Sequence, residues 1–259
     1  MEFRFIGTGD SAQVPRFGCD CVACTKARVF TSHQRGPCCA EVWVDGKRYL
    51  LDAGRTDLAH SCELERPAAF FITHYHADHV QGLFHLRWGT GASIPVYGPK
   101  DAQGCADLYR NHGVLDFQPG LKPFKTLKLD SLSVTPVPLN HSKPTLGYCL
   151  DDGGTRLAYL TDTLGLPVET ERFLRDWGAD VIILDACHPA SHTHPRNHNT
   201  ITQALEIITR LDPPRAYLTH ISHDLDAECI AHPPVLPAKV RIARDGESLE
   251  DGGKMRAVS

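Results

Sequence analysis

A chain of 259 residues, 42% of them hydrophobic, is long enough to bury a substantial core as one large domain or two small ones. Its 27 basic and 31 acidic residues give a formal charge of −4, which argues against a broad nucleic-acid footprint and against DNA as a partner. No apolar run approaches the roughly 18 residues of a membrane span, and Met1-Glu2-Phe3-Arg4-Phe5-Ile6-Gly7 reads as a strand rather than a secretory segment, so the expected compartment is the cytoplasm.

The first predicted strand, residues 3–6, ends in Gly7-Thr8-Gly9-Asp10. The Gly-x4-Gly-Lys-Ser/Thr of a phosphate loop is absent, so these glycines are expected to form a tight turn that lets backbone pass close to the site. Gly18-Cys19-Asp20-Cys21-Val22-Ala23-Cys24 follows. Ten cysteines in a chain of this length, without an export signal, point to metal ligands rather than disulfides. Three thiols this close can wrap one zinc ion, with a fourth ligand from elsewhere. Cys38 and Cys39, being adjacent, suit the core better than one ion. Residues 41–54 read as a hairpin turning at Asp45-Gly46, and its second strand delivers Asp52 and Gly54. Asp52 is expected to fix a loop rather than bind a metal.

Ala69-Phe70-Phe71-Ile72 has the apolar character of a buried strand. It leads directly into Thr73-His74-Tyr75-His76-Ala77-Asp78-His79. Strands alternate their side chains and helices repeat every 3.6 residues, so donors this dense converge only at a turn. The segment supplies donors for parts of two metal sites. Imidazole suits zinc, iron and copper, and carboxylate widens the choice toward manganese.

A helix is expected over 80–88, a strand over 93–98 and another helix over 101–111. Residues 132–139 read as a strand whose prolines put it at an edge, delivering Asn140-His141-Ser142. Residues 156–161 deliver Asp162, 181–184 deliver Asp185 and His188, and 214–219 deliver His220. Residues 200–208 form a helix with a threonine cap. Strands of one sheet bring their ends to a common edge, so these four ends are expected to meet. With no repeat or linker, residues 1–259 read as one domain carrying a small zinc knuckle near 18–24.

The motif His74-x-His76-x-Asp78-His79, preceded by Leu51-Asp52-Ala53-Gly54 and followed by His141, Asp162 and His220, resembles the metallo-β-lactamase superfamily over most of the chain. That resemblance implies an α+β fold, an αββα sandwich in which two sheets pack face to face with helices outside. It also implies that His74, His76 and His141 hold one divalent metal, that Asp78, His79 and His220 hold the other, and that Asp162 bridges them. Redox-active diiron relatives carry a carboxylate where this chain has His76, so the resemblance favours hydrolysis.

Gly18-Cys19-Asp20-Cys21-x2-Cys24, Arg196-Asn197-His198 and Thr219-His220-Ile221-Ser222-His223 narrow the resemblance to the cyclic phosphodiesterases of bacterial carbon–phosphorus lyase pathways. Pro95-Val96-Tyr97-Gly98-Pro99 and Leu139-Asn140-His141-Ser142-Lys143 fit the same family. The implied structural zinc ligands are Cys19, Cys21, Cys24 and His223, and the implied assembly is a homodimer. The implied reaction opens 5-phospho-α-D-ribosyl 1,2-cyclic phosphate to ribose 1,5-bisphosphate during phosphonate catabolism, with 2′,3′-cyclic nucleotides as surrogates. Manganese is the expected catalytic metal, with zinc or iron tolerated.

A metal pair of this kind clamps a phosphodiester and supplies an activated water, so no serine or cysteine nucleophile is required. Besides Asp162, the expected catalytic residue is His198, as general acid for the departing sugar oxygen. Lys143 and Arg196 lie beside predicted site residues and are candidate partners of a 5-phosphate. Two other readings compete. A tRNA 3′-processing endonuclease would need a long basic docking arm, and none is visible. A non-enzymatic binding protein of cofactor biosynthesis, similar to the pyrroloquinoline quinone relative, would share the cysteine knuckle. That relative has a degenerate histidine motif, and the intact ligands here favour an enzyme.

Overall fold

Short segments with alternating or wholly apolar faces dominate the chain. The computed structural model describes residues 1–249 and 255–256 and pairs these segments into two mixed sheets. The first contains β1 (Glu2–Gly7), β2 (Cys39–Val44), β3 (Lys47–Leu51), β4 (Ala69–Phe71), β5 (Ile94–Tyr97) and β6 (Leu115–Phe117). The second contains β7 (Leu127–Leu129), β8 (Leu132–Pro138), β9 (Leu146–Asp151), β10 (Arg156–Leu160), β11 (Val181–Asp185), β12 (Arg215–Thr219) and β13 (Val240–Ile242). β14 (Ser248–Leu249) and β15 (Met255–Arg256) extend the first sheet beyond β1. The helices are α1 (Val22–Val29), α2 (Leu58–Leu64), α3 (Ala77–Val80), α4 (Leu83–Leu86), α5 (Ala106–Arg110), α6 (Val168–Trp177), α7 (Ile201–Leu211) and α8 (His223–Ala231).

Alternation along each strand explains the layering. Phe3, Phe5, Val42, Tyr49 and Phe71 face inward and meet Val134, Tyr148, Tyr159, Ile183 and Tyr217 of the second sheet in one buried core. Neighbouring positions face outward. Leu50, Phe70 and Val96 pack under Leu58, Leu83 and Leu108 of α2, α4 and α5. Ala158, Ile182, Leu184 and Leu218 pack under Leu174 of α6 and Ala204 and Ile208 of α7. The result is the expected αββα sandwich of the α+β class. Cys38 and Cys39 are core residues with no exposed surface. Among the described residues no helix is long and apolar enough to cross a membrane.

Topology then places the chemistry. β10, β11 and β12 run parallel, and β9 is antiparallel to both β8 and β10, so β8, β10, β11 and β12 all end at one edge. In the first sheet β3 and β4 also run parallel, bringing Asp52 and Thr73 together. The Leu146 N–H donates to the Thr73 carbonyl at 2.9 Å, stitching the two sheets beside this edge. A Cβ on Gly7 would lie 1.9 Å from the Pro37 carbonyl oxygen, so only glycine lets the end of β1 pass this close to that backbone.

Three local expectations need correction. The helix expected over 101–111 is confined to α5, because Asp101 turns the chain by accepting the Gln103 N–H at 3.0 Å and Gly104 lies flat on Tyr75. A Cβ on Gly104 would sit 2.6 Å from the Tyr75 ring. The helix expected over 80–88 is divided into α3 and α4, since Gly82 gives its N–H to Ala53 at 2.8 Å rather than to a helical carbonyl. The strand expected at an edge, β8, is the second strand in, but β7 pairs only with Leu132, Ser133 and Val134. Pro136 and Pro138 occupy the half that β7 leaves uncovered, where a missing N–H breaks no ladder.

Candidate metal centre

β4 ends and the chain turns before α3, so His74, His76, Asp78 and His79 leave the first sheet within six residues. They meet His141, Asp162 and His220 from the ends of β8, β10 and β12. His76 Nδ1 lies 2.9 Å from His74 Nε2 and 3.0 Å from His141 Nε2. On the other side His79 Nε2 is 3.5 Å from Asp78 Oδ2, and His220 Nε2 is equally 3.5 Å from it. Asp162 joins the two sets through one atom. Its Oδ2 is 3.2 Å from His79, 3.3 Å from His220, 3.6 Å from His74 and 3.9 Å from His141.

Asp52 does what the sequence suggested. Its Oδ1 accepts the Thr73 N–H at 2.8 Å, and its Oδ2 accepts the His79 Nδ1–H at 2.8 Å. That bond fixes the ring so that Nε2 points at Asp78 and Asp162. Asp52 and His220 both hold φ at 60°, a left-handed backbone that non-glycine residues adopt where surrounding contacts enforce it.

The donor set fits divalent cations. His79 Nε2 and both ring nitrogens of His220 are buried without a hydrogen-bond partner among the described residues, beside two carboxylates. Burial pushes His74 well below the usual histidine range and His141 down to about 4, which keeps both neutral, as a ligand must be. Burial also disfavours charge at His79 and His220, but Asp162 and its neighbours outweigh it and hold both well above the usual range. In return, and against burial, His79 and His220 bring Asp78 down to about 2, and His220 and His79 hold Asp162 well below the carboxylate range. Protons on His79 and His220 thus balance the buried carboxylates, a balance that bound cations would take over with proton release.

His198 stands at the open side, with 19% of its side chain exposed. Its ring stacks on His220 at 4.6 Å and lies 5.2 Å from that of His141. Nδ1 donates to Asp185 Oδ2 at 2.8 Å and is 4.0 Å from Asp162 Oδ2. The sequence placed Asp185 at a strand end without a role. Its pairing with His198 spans 13 positions, and the only available signal was the convergence of β11 with β10 and β12. Lys143 Nζ sits 3.7 Å from Asp101 Oδ2, and Arg196 is exposed two positions before His198.

The knuckle residues also meet. Cys19 Sγ and Cys21 Sγ are each 3.6 Å from His223 Nδ1, and Cys24 completes the group. Burial pushes the Cys24 thiol up to about 12, while the Cys21 backbone N–H pulls Cys19 down. As thiolates the three sulfurs would need a cation to balance them, and a Cys3His set suits zinc. Cys21 caps α1, and His223 opens α8 behind the Ser222 cap, so local helix starts aim the ligands.

The chain is similar to several known proteins. An octanoyltransferase of Porphyromonas gingivalis is 27% identical over 264 residues, which cover 95% of this chain and 51% of that protein, so the chain spans about half of its length. A ribonuclease Z of Acaryochloris marina is 27% identical over 290 residues, with 86% of each chain covered. A crystal structure described as a new diphosphatase from the PhnP family superposes with a TM-score of 0.80 at 29% identity, covering 96% of both chains. The family model described as a beta-lactamase superfamily domain matches residues 47–221, from β3 to just beyond His220, and the chain therefore belongs to the metallo-β-lactamase superfamily.

Proposed function

We propose that this protein is a dinuclear metal-dependent phosphodiesterase that opens cyclic phosphodiesters. The proposed substrate is 5-phospho-α-D-ribosyl 1,2-cyclic phosphate, giving ribose 1,5-bisphosphate in phosphonate catabolism, and 2′,3′-cyclic nucleotides serve as surrogates. One observation carries the reading: two histidine-rich sets share the single oxygen Asp162 Oδ2, with the His198–Asp185 pair beside it. The likeness to the PhnP-family diphosphatase over nearly the whole of both chains supports the phosphate chemistry.

In this reading His74, His76 and His141 would hold one cation, Asp78, His79 and His220 would hold the other, and Asp162 would serve both. Divalent cations bound there, manganese first among them, would supply Lewis acidity and an activated water. The protein does the rest. Asp52 orients His79. Asp185 occupies Nδ1 of His198, so Nε2 is the nitrogen that delivers a proton to the departing sugar oxygen as the phosphorus–oxygen bond breaks. Lys143, 3.7 Å from Asp101 Oδ2, and the exposed Arg196 are the basic side chains that receive the distal phosphate. Cys19, Cys21, Cys24 and His223 hold a structural zinc.

The ribonuclease Z likeness supports a second reading, cleavage of a tRNA precursor. One panel separates them. Turnover of 5-phosphoribosyl 1,2-cyclic phosphate, 2′,3′-cyclic AMP, bis-p-nitrophenyl phosphate and a tRNA precursor is measured with added manganese. Preference for the ribosyl cyclic phosphate supports the first reading, and cleavage of the precursor alone replaces it with the second.

A further inference from the structure

The centre is assembled from segments distant in sequence, and one residue links two of its tasks. Asn197 holds φ at 64°, inside the left-handed region. From that conformation its carbonyl accepts the His141 Nδ1–H at 3.1 Å, and its side-chain amide donates to Ser142 Oγ at 3.3 Å. The next residue is His198, tied to Asp185. Asn199 follows, buried, accepting the Gly165 N–H at 2.8 Å and donating to the Asp185 carbonyl at 3.2 Å. The segment is therefore clamped at 199 by the β11 end and at 197 by the loop after β8.

The carbonyl contact has a chemical consequence. A proton held on Nδ1 of His141 leaves Nε2 as a lone pair, and Nε2 is the atom 3.0 Å from His76 Nδ1. Among residues other than glycine, asparagine enters the left-handed region more readily than most. A residue driven to extended backbone would turn the 197–198 peptide, withdraw the carbonyl from His141 and carry His198 off Asp185.

We infer that Asn197 is a positioning residue whose left-handed turn sets His141 for cation binding and His198 for proton delivery together. The inference rests on the reading of His141 as a metal ligand. The test uses full-length wild type, Asn197→Ala, Asn197→Gly and His198→Ala. Each is stripped of its catalytic metals and titrated with manganese, bound metal is counted by mass spectrometry, and turnover is followed on 2′,3′-cyclic AMP. Far-UV circular dichroism reports an intact fold.

Asn197→Ala is expected to bind the catalytic metals about tenfold more weakly and to lose turnover at saturating metal as well. Asn197→Gly recovers most of the affinity lost by alanine, because glycine enters the same backbone region without a Cβ penalty. His198→Ala loses turnover alone. Wild-type metal affinity in a folded Asn197→Ala, or a glycine variant no better than alanine, overturns the inference. If Asn197→Ala does not fold, Asn197→Gly carries the test, and a folded glycine variant that has lost the metals overturns it. A wild type that binds no catalytic metal removes the ligand reading itself and this inference with it.

Discussion

The carboxylate of Asp185 accepts the His198 Nδ1–H at 2.8 Å while also accepting the backbone N–H groups of Thr163 at 3.0 Å and Cys187 at 3.1 Å. A fully buried carboxylate held by two amides cannot swing, so it fixes the imidazole as a rigid post would. Asp185→Asn keeps the shape but can turn an amide donor toward one of these N–H groups. The expected outcome is a fall in kcat of about 10²-fold or more, within the range for lost acid–base assistance, with metal content unchanged. His198→Ala should match it, and the double variant should add little. Unaltered kcat in Asp185→Asn at normal metal content would remove the pair from the mechanism.

Asp162 makes a different prediction, because one oxygen serves both halves of the centre. Replacing it by alanine should abolish binding of both catalytic metals, whereas His76→Ala, which touches only the His74 and His141 side, should spare one. Metal counting on the two variants decides this directly. Equal loss in both would mean that the two sets fill as a single unit, and full retention in Asp162→Ala would rule out bridging.

Much of this was legible because the chemistry is dense where strands end. His74, His76, Asp78 and His79 fall within six residues after a strand of three buried apolar side chains, and no regular element could spread them. His141, Asp162 and His220 each follow a strand of the same sheet, so parallel order alone predicts their meeting. What the sequence hid were links without local spacing. Asp185 reaches His198 across a chain excursion, and the carbonyl of Asn197 acts through a backbone angle that no side-chain pattern encodes. The overlong helix at 101–111 failed for a related reason: Tyr75, from a distant loop, dictates how the chain passes at Gly104.

The knuckle predicts a stability effect separable from catalysis. α1 and α8 pack together through Ala23 and Ala27 against Ala227 and Ile230, a small apolar contact beside the cysteines. So small a cluster buries little surface, and a bound cation would add its binding free energy to folding. Cys21→Ser should lose one equivalent of zinc and lower the thermal midpoint by several degrees, as about 1 kcal/mol shifts a domain of this size by about 2–4 °C. An unchanged midpoint together with an unchanged zinc count would mean that the four residues hold no cation.

The same corner contains a buried ion pair whose removal should be costly. Arg35, with no exposed side-chain surface, donates from Nε and Nη2 to the two oxygens of Asp226 at 2.6 and 2.9 Å. Its Nη1 donates to Thr8 Oγ1 at 2.8 Å and to the Ala243 carbonyl at 2.6 Å, so every arm of the guanidinium is used. Asp226 lies one helical turn after His223, and Thr8 lies in the turn after β1, so the pair ties the knuckle helix to the first sheet. Arg35→Met leaves the buried carboxylate with Arg244 Nη1, 3.7 Å away, as its cationic partner among the described residues. Breaking such a pair costs about 3–5 kcal/mol, and the remaining contact with Arg244 should keep the loss near the lower end. Arg35→Met combined with Asp226→Leu removes both desolvated charges and should recover a large part of it. Urea unfolding of the three proteins at saturating metal measures the differences. A double variant no more stable than Arg35→Met would show that the attachment of α8 depends on the hydrogen bonds to Thr8 and Ala243 rather than on charge balance.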